Sequence, residues 1–291
     1  MDTLHNEPFL SYSDSEKSGE GYISKEFDIY QNGSLIISRV RTTHEGLFTA
    51  IIFYSKTEDP VYYYVRVKTI VKPLDPFPEI DNCSLQLAIC LQPFRKTLRL
   101  TCVVRNARPE VPLGWKVVSA FEKRNMSSHL SVIRNNTVFT SFATVSQHSL
   151  SNFSLLSLFV CETNSVPGVY DKHESLVLVQ NDTHFNVKAL EPIAIYIQQH
   201  SPLKLNCSKN DILWLVWERR YGTGDEFQPL LSAVLLDSTV VDKYDGGYEL
   251  YEEGTLVVKD AATKNEGTYK CVGSDGIKDT IVIYEVVVYG K

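Results

Sequence analysis

No stretch of this chain approaches the roughly 18–20 consecutive apolar residues that cross a bilayer as a helix. The N-terminus, MDTLHNEPFL, is acidic and interrupted by Pro8, unlike a secretory leader. Basic clusters are scarce too. The densest, Arg219–Arg220 and Lys123–Arg124, are only pairs in a chain of formal charge −6, so nothing here follows a phosphate backbone and nucleic acid is not expected as a partner. The seven histidines stand singly, with no H-E-x-x-H and no other metal-ligand spacing. There is no G-x-S-x-G elbow and no phosphate-binding glycine loop. The sequence therefore offers no cofactor, no metal site and no catalytic set, and a role other than catalysis is expected.

What is present is strand-forming. Against 2 Met stand 16 Tyr and 13 Phe, and short β-branched or aromatic runs recur (SLIISRV, VYYYVRV, SLVLV, TIVIYEVVVY). Six cysteines are present, four of them at separations suited to a disulfide joining two sheets. Seven N-x-S/T acceptors occur, at Asn32, Asn82, Asn125, Asn135, Asn152, Asn181 and Asn206. Such acceptors matter only to a chain that enters the secretory lumen and carries them on its surface. They outweigh the missing leader and imply the extracellular side of the plasma membrane or secretion, with a leader and a membrane anchor expected outside this piece.

The strongest local signal is KNEGTYKC at 264–271. A turn at Asn265–Gly267 leads into a strand on which Tyr269 and Cys271 share a face. Cys207 lies upstream in LKLNC, Trp217 follows it in LWLVW, and Leu256 and Val258 alternate in GTLVVKD. Cys, an inward Trp, then Tyr-x-Cys is the pattern of a two-sheet sandwich with a bridging disulfide. On these residues the chain from 182 to 291 resembles a variable-type immunoglobulin domain, with Trp217 preferred to Trp214 as the core indole. The resemblance also implies a basic partner for the position of Asn265, which can hydrogen-bond there but cannot form an ion pair.

The middle segment, 73–181, repeats this less cleanly. Cys102 in LRLTC, Trp115, and Cys161 closing SLLSLFVC resemble a constant-like or C2-like immunoglobulin domain, with Phe159 in place of the usual Tyr. The run VKPLDPFPEI at 71–80 forms a Pro-rich joint before it. In the first segment, 1–72, GSLIISRVRTTHEGLFTA (33–50) aligns without a gap on GTLVVKDAATKNEGTYKC (254–271). Phe48 falls on Tyr269 and Ala50 on Cys271, so a third variable-like unit is implied, without the disulfide. Nothing upstream supplies its core Trp. Either its front half is missing from this piece, or it has been lost.

The expected architecture is all-β, a tandem of immunoglobulin-like sandwiches with the first incomplete. A disulfide-free variable-like domain followed by a C2-like one is similar to the CD2 and SLAM leukocyte-receptor family. That likeness implies recognition or adhesion through a protein ligand, on another cell or soluble, with homophilic pairing open. A secreted or viral decoy for a cytokine or host receptor is the alternative. Lys56, Glu58, Asp59, Tyr62 and Tyr64 are the candidate partner surface, tyrosines beside charges being the usual makeup of an interface. Cys83 and Cys90 remain after the two sheet-bridging pairs. They can bond each other if the chain bends between them, or pair with a cysteine outside this piece.

Overall fold

The computed structural model describes residues 8–54, 59–73, 75–83, 87–94, 98–146, 154–165, 170–181, 190–207, 212–222, 226–236, 239–244 and 246–290. It divides into two units, Met1–Val71 and Lys72–Lys291. The first contains β1 (Ser11–Ser13), β2 (Glu16–Ser18), the one-turn helix α1 (Glu20–Ile23), β3 (Phe27–Ile29), β4 (Leu35–Ile37), β5 (Gly46–Ile52) and β6 (Val61–Val67). The second opens with β7 (Glu79–Ile80), β8 (Ile89–Pro93), β9 (Leu100–Ala107), β10 (Leu113–Val118), β11 (Lys123–Asn125), β12 (His129–Asn135), β13 (Val138–Val145), β14 (Leu156–Thr163) and β15 (Glu174–Gln180). It continues with β16 (Ile193–Gln198), β17 (Leu203–Leu205), β18 (Trp214–Arg220), β19 (Gln228–Val234), β20 (Val240–Lys243), β21 (Glu249–Tyr251), β22 (Thr255–Val258), β23 (Gly267–Ser274) and β24 (Asp279–Tyr289).

In the C-terminal sandwich one sheet runs β16-β24-β23-β18-β19-β20 and the other β17-β22-β21. Inward positions of both sheets alternate with outward ones, and Leu205, Trp217, Leu256, Val258 and Tyr269 fill the space between. Cys207 and Cys271 bond across it with Cα atoms 5.4 Å apart. The Trp217 indole donates to the Gly254 carbonyl at 3.0 Å. The Tyr269 hydroxyl donates to the Asn265 carbonyl at 2.7 Å, the tyrosine corner of this kind of sandwich. Asn265 accepts the Ala262 amide at 3.0 Å, a local cap rather than a cross-sandwich pair. The cation beside it is Arg219, which donates to the Lys264 and Glu266 carbonyls and, at 2.8 Å, to the Tyr248 hydroxyl.

The preceding sandwich has sheets β11-β10-β14-β15-β8 and β12-β13-β9-β7. The second has the four-strand order of a constant-type domain. Cys102 and Cys161 bond across it, Trp115 donates to the Ala143 carbonyl at 2.8 Å, and Phe159 is fully buried where the tyrosine would stand. Cys83 and Cys90 bond each other with Cα atoms 5.7 Å apart, beside a turn in which the Cys83 amide donates to Ile80 and Asn82 has φ 65°.

The first unit is three separate two-stranded sheets, β1-β2, β3-β4 and β5-β6. Its likeness to the C-terminal sandwich runs much further than residues 33–50. Pro8 to Ile52 match Pro229 to Gly273 at one constant offset, including Leu10 on Leu231, Phe27 on Tyr248 and Tyr30 on Tyr251. The geometry follows the same offset from β3 to β5, whereas Ser11 pairs with Ser18 where Ser232 pairs with Asp242, and β6 lies two residues off it. Ile29 pairs with Leu35 as Leu250 pairs with Leu256. Gly33 and Gly254 share a left-handed φ, 83° and 78°. The Arg41 amide donates to His44 Nδ1 at 3.0 Å, where the Ala262 amide donates to Asn265. Glu45 accepts the Thr69 amide at 2.7 Å, and Glu266 the Val288 amide at 2.9 Å. Phe9, Phe27, Phe48 and His44 form the small core, with ring centroids 5.2–6.1 Å apart.

Candidate protein-interaction faces

Several strands of the second unit read as continuous apolar runs, and all eight residues of β14 are buried. One face fills its own sandwich; the other packs on the neighbouring sandwich. From the constant-like side come Ile89, Val118, Leu156, Leu158, Val160 and Leu178, and from the C-terminal side Trp214, Val216, Val234 and Val272. The seam is tied by polar contacts as well. The Trp214 indole donates to the Leu156 carbonyl at 3.1 Å and the Leu155 amide to Asp279 Oδ2 at 2.6 Å. The Ala88 amide donates to Asp242 Oδ1 at 3.1 Å, with the Ile89 amide on Oδ2. Gln180 donates to Glu218 at 3.1 Å, and Glu218 also meets the buried Lys270 ammonium at 2.5 Å. Such a charge is retained out of water because it is both paired and hydrogen-bonded.

Burial at this seam pushes the Asp279 carboxyl above its ordinary range, although hydrogen bonds from Ser274 and the Leu155 amide act the other way. Elsewhere on the constant-like sandwich, burial raises Glu162, but its ion pairs with Lys116 (2.6 Å) and Lys172 (2.7 Å) prevail and hold it below the usual carboxylate range.

In the first unit the corresponding outward face is open. Cross-strand pairing puts Leu47 with Arg66, Thr49 with Tyr64 and Ile51 with Tyr62 on one side of β5-β6. Leu47 is 59% exposed, Ile51 50%, Tyr62 52% and Tyr64 66%. Tyr63 falls on the opposite, inward side with Ala50. Two of the expected partner residues thus share one face, and Asp59 is exposed just before β6. Lys56 and Glu58 lie outside the described residues. Sequence reasoning missed the second role of Trp214, Val216 and Val272. The signal was there, in runs such as LWLVW with both alternations apolar.

Of the glycan acceptors, Asn32, Asn82, Asn125, Asn135 and Asn206 have the surface position expected of them, and Asn152 lies outside the described residues. Asn181 does not have that position. It is 4% exposed, next to Gln180 at the seam, with its amide on the Leu155 carbonyl at 2.7 Å. Among the described residues no helix is long and apolar enough to cross a membrane, and no group of three metal-ligating side chains occurs.

No protein-family model matches the chain, and no curated protein matches it either. Among solved structures, the full ectodomain (Ig1–Ig3) of mouse nectin-like molecule 4 is similar over 91% of this chain and 82% of that one, at 16% identity and a TM-score of 0.33. The N-terminal Ig1-2 module of the Drosophila receptor protein tyrosine phosphatase DLAR is similar over 73% and 98%, at 14% identity and a TM-score of 0.24. Tim-1 matches over 35% and 96%, at 16% identity and 0.29. Strand order, sheet-bridging disulfides, the buried Trp of each sandwich and the C-terminal tyrosine corner make residues 72–291 two sandwiches of the immunoglobulin fold.

Proposed function

We propose that this chain is an extracellular recognition or adhesion protein that binds a protein ligand through the outward face of β5-β6. One observation carries the reading. The face bearing Ile51, Tyr62 and Tyr64 in the first unit corresponds to the face bearing Val272, Ile281 and Ile283 in the C-terminal sandwich. There Val272 and Ile281 are covered by the sheet of another immunoglobulin-fold domain. The same surface is open in the first unit, and an exposed aromatic and aliphatic patch of this kind marks a docking site. Its fitting occupant is the apolar sheet face of an immunoglobulin-like domain on a protein partner. The three disulfides and the surface acceptors support an oxidising, extracellular setting. Cell-surface display as an immune receptor is the finer form of this reading, with binding rather than catalysis as the activity.

The test is binding of the multimerised, secreted chain to a panel of cells and to itself. The double change Tyr62→Ser/Tyr64→Ser should abolish binding, and Val132→Ser on exposed β12 should leave it intact. Binding unaltered by the tyrosine changes would remove this face from the function.

A further inference from the structure

β12, in the constant-like sandwich, is an open edge. Among the described residues it is hydrogen-bonded to β13 alone, at the margin of the sheet β12-β13-β9-β7, and all seven of its residues are exposed. Pairing sets Leu130 opposite Ala143 and Val132 opposite Ser141, both of them buried, so Leu130 and Val132 lie on the interior side of the sheet. They stay exposed because β11, the edge strand beyond β10 in the facing sheet, is only three residues long and itself exposed. Ile133, on the other side of β12, is exposed as well.

Such edges are usually blunted by shortness, by charged residues or Pro, or by a bulge. β11, β17 and β21 follow that rule, each three residues long with a charged side chain. β12, HLSVIRN, has no Lys or Pro and pairs with β13 without a bulge. Its one permanently charged side chain, Arg134, turns back from the edge. The Arg134 Nε donates to the Asn136 carbonyl at 3.1 Å, and the guanidinium lies 5.9 Å from the centroid of the Phe139 ring. What β12 has instead is a glycan acceptor at each end. Asn125, the last residue of β11, stands just before it, and Asn135 is its own last residue; both are exposed.

We infer that glycans on Asn125 and Asn135 guard this edge, and that the association they prevent is antiparallel pairing of β12 with β12 of a second copy. The strand suits its own copy. About a two-fold axis at Val132, Val132 meets Val132, Ser131 meets Ile133 and Leu130 meets Arg134, so no like charges are opposed. The same register sets each Asn135 opposite His129 of the other copy, roughly 5 Å away, where a bulky glycan excludes the approaching strand. The inference rests on the extracellular reading above, and not on the tyrosine face.

Sedimentation of the secreted, glycosylated chain is compared with that of the Asn125→Gln/Asn135→Gln and Asn32→Gln variants, and hydrogen exchange in β12 is followed by mass spectrometry. Wild type and Asn32→Gln should sediment alike. The double variant should dimerise as concentration rises, with slower exchange in β12. Adding Val132→Lys should undo both effects, because it opposes two ammonium groups across the two-fold axis. Adding Tyr62→Ser/Tyr64→Ser should not. Glycosidase treatment of the folded wild type and of the Val132→Lys chain gives the same comparison without asking the double variant to fold. Sugar removal that changes neither sedimentation nor β12 exchange overturns the guard, and so does association that Val132→Lys fails to relieve. Glycopeptide mapping separates this from the reading beneath it. A secreted chain with no sugar at any acceptor overturns both, whereas occupied Asn125 and Asn135 whose removal causes no association overturn the guard alone.

Discussion

Trp214 and Trp217 lie three residues apart on β18, both buried, and serve opposite sides of the same sheet. The Trp217 indole closes its own sandwich by donating to Gly254 at 3.0 Å, whereas the Trp214 indole reaches out of it to Leu156 at 3.1 Å. The two should separate on mutation. Trp217→Ala empties the core beside the Cys207–Cys271 bond and should cost about 3–5 kcal/mol of the C-terminal sandwich's own stability. Trp214→Ala should spare that sandwich and loosen its seam, so that urea unfolding changes from one transition for residues 72–291 to two. A single transition in the Trp214 variant would show that the seam does not couple the sandwiches.

The disulfide of the C-terminal sandwich gives a second test. Cys271→Ser should lower the stability of that sandwich by roughly 2–5 kcal/mol. The same sandwich expressed alone would expose Trp214, Val216 and Val272, which the neighbouring sandwich covers in the chain. Denaturant unfolding of the full chain is therefore the appropriate measurement, and an unchanged midpoint would contradict the pairing.

Asp279 predicts a pH dependence. Its carboxyl titrates above its ordinary value in the folded protein because of burial at the seam, so folding takes up a proton between the two values. The stability it contributes is fully present below the unfolded value of about 3.9 and is lost as pH rises through the raised folded value. Once ionised, Asp279 contributes less to folding than its protonated form does. Asp279→Asn keeps an acceptor for the Leu155 amide and should equal or exceed wild type at pH 7, with the difference shrinking as pH falls. Asp279→Ala leaves that amide unpaired and should cost about 1–3 kcal/mol. Urea midpoints across pH 4–7 decide it; an Asn variant less stable than wild type at pH 7 would reverse the sign.

Asn181 should escape glycosylation while Asn32, Asn125 and Asn135 are modified. A glycan is bulky, and Asn181 sits in the seam beside Gln180, which bonds Glu218 across it. Glycopeptide mapping of the chain secreted from animal cells measures occupancy site by site. Full occupancy at Asn181 in a protein that keeps a single unfolding transition would contradict the packed seam.

The sequence by itself determined the two complete sandwiches, because their signals are local. Tyr269 and Cys271 alternate on one strand, Trp217 follows Cys207 at close range, and turns such as Asn265–Gly267 punctuate the strands. It also determined the kinship of the first unit through Gly33, Leu35 and Phe48, since a repeat is read by superposition without knowing a contact. The pairing of Cys83 with Cys90 remained open in sequence, because it depends on a bend between them that no glycine or proline announces. Only the tertiary structure decided that Trp214, Val216 and Val272 meet Leu156, Leu158 and Ile89, and that Asn181 is thereby removed from the surface. The physical reason is that an apolar residue declares in sequence that it will be buried, but not against what. A strand apolar on both faces needs a second cover, and which surface supplies it depends on residues far away in the chain.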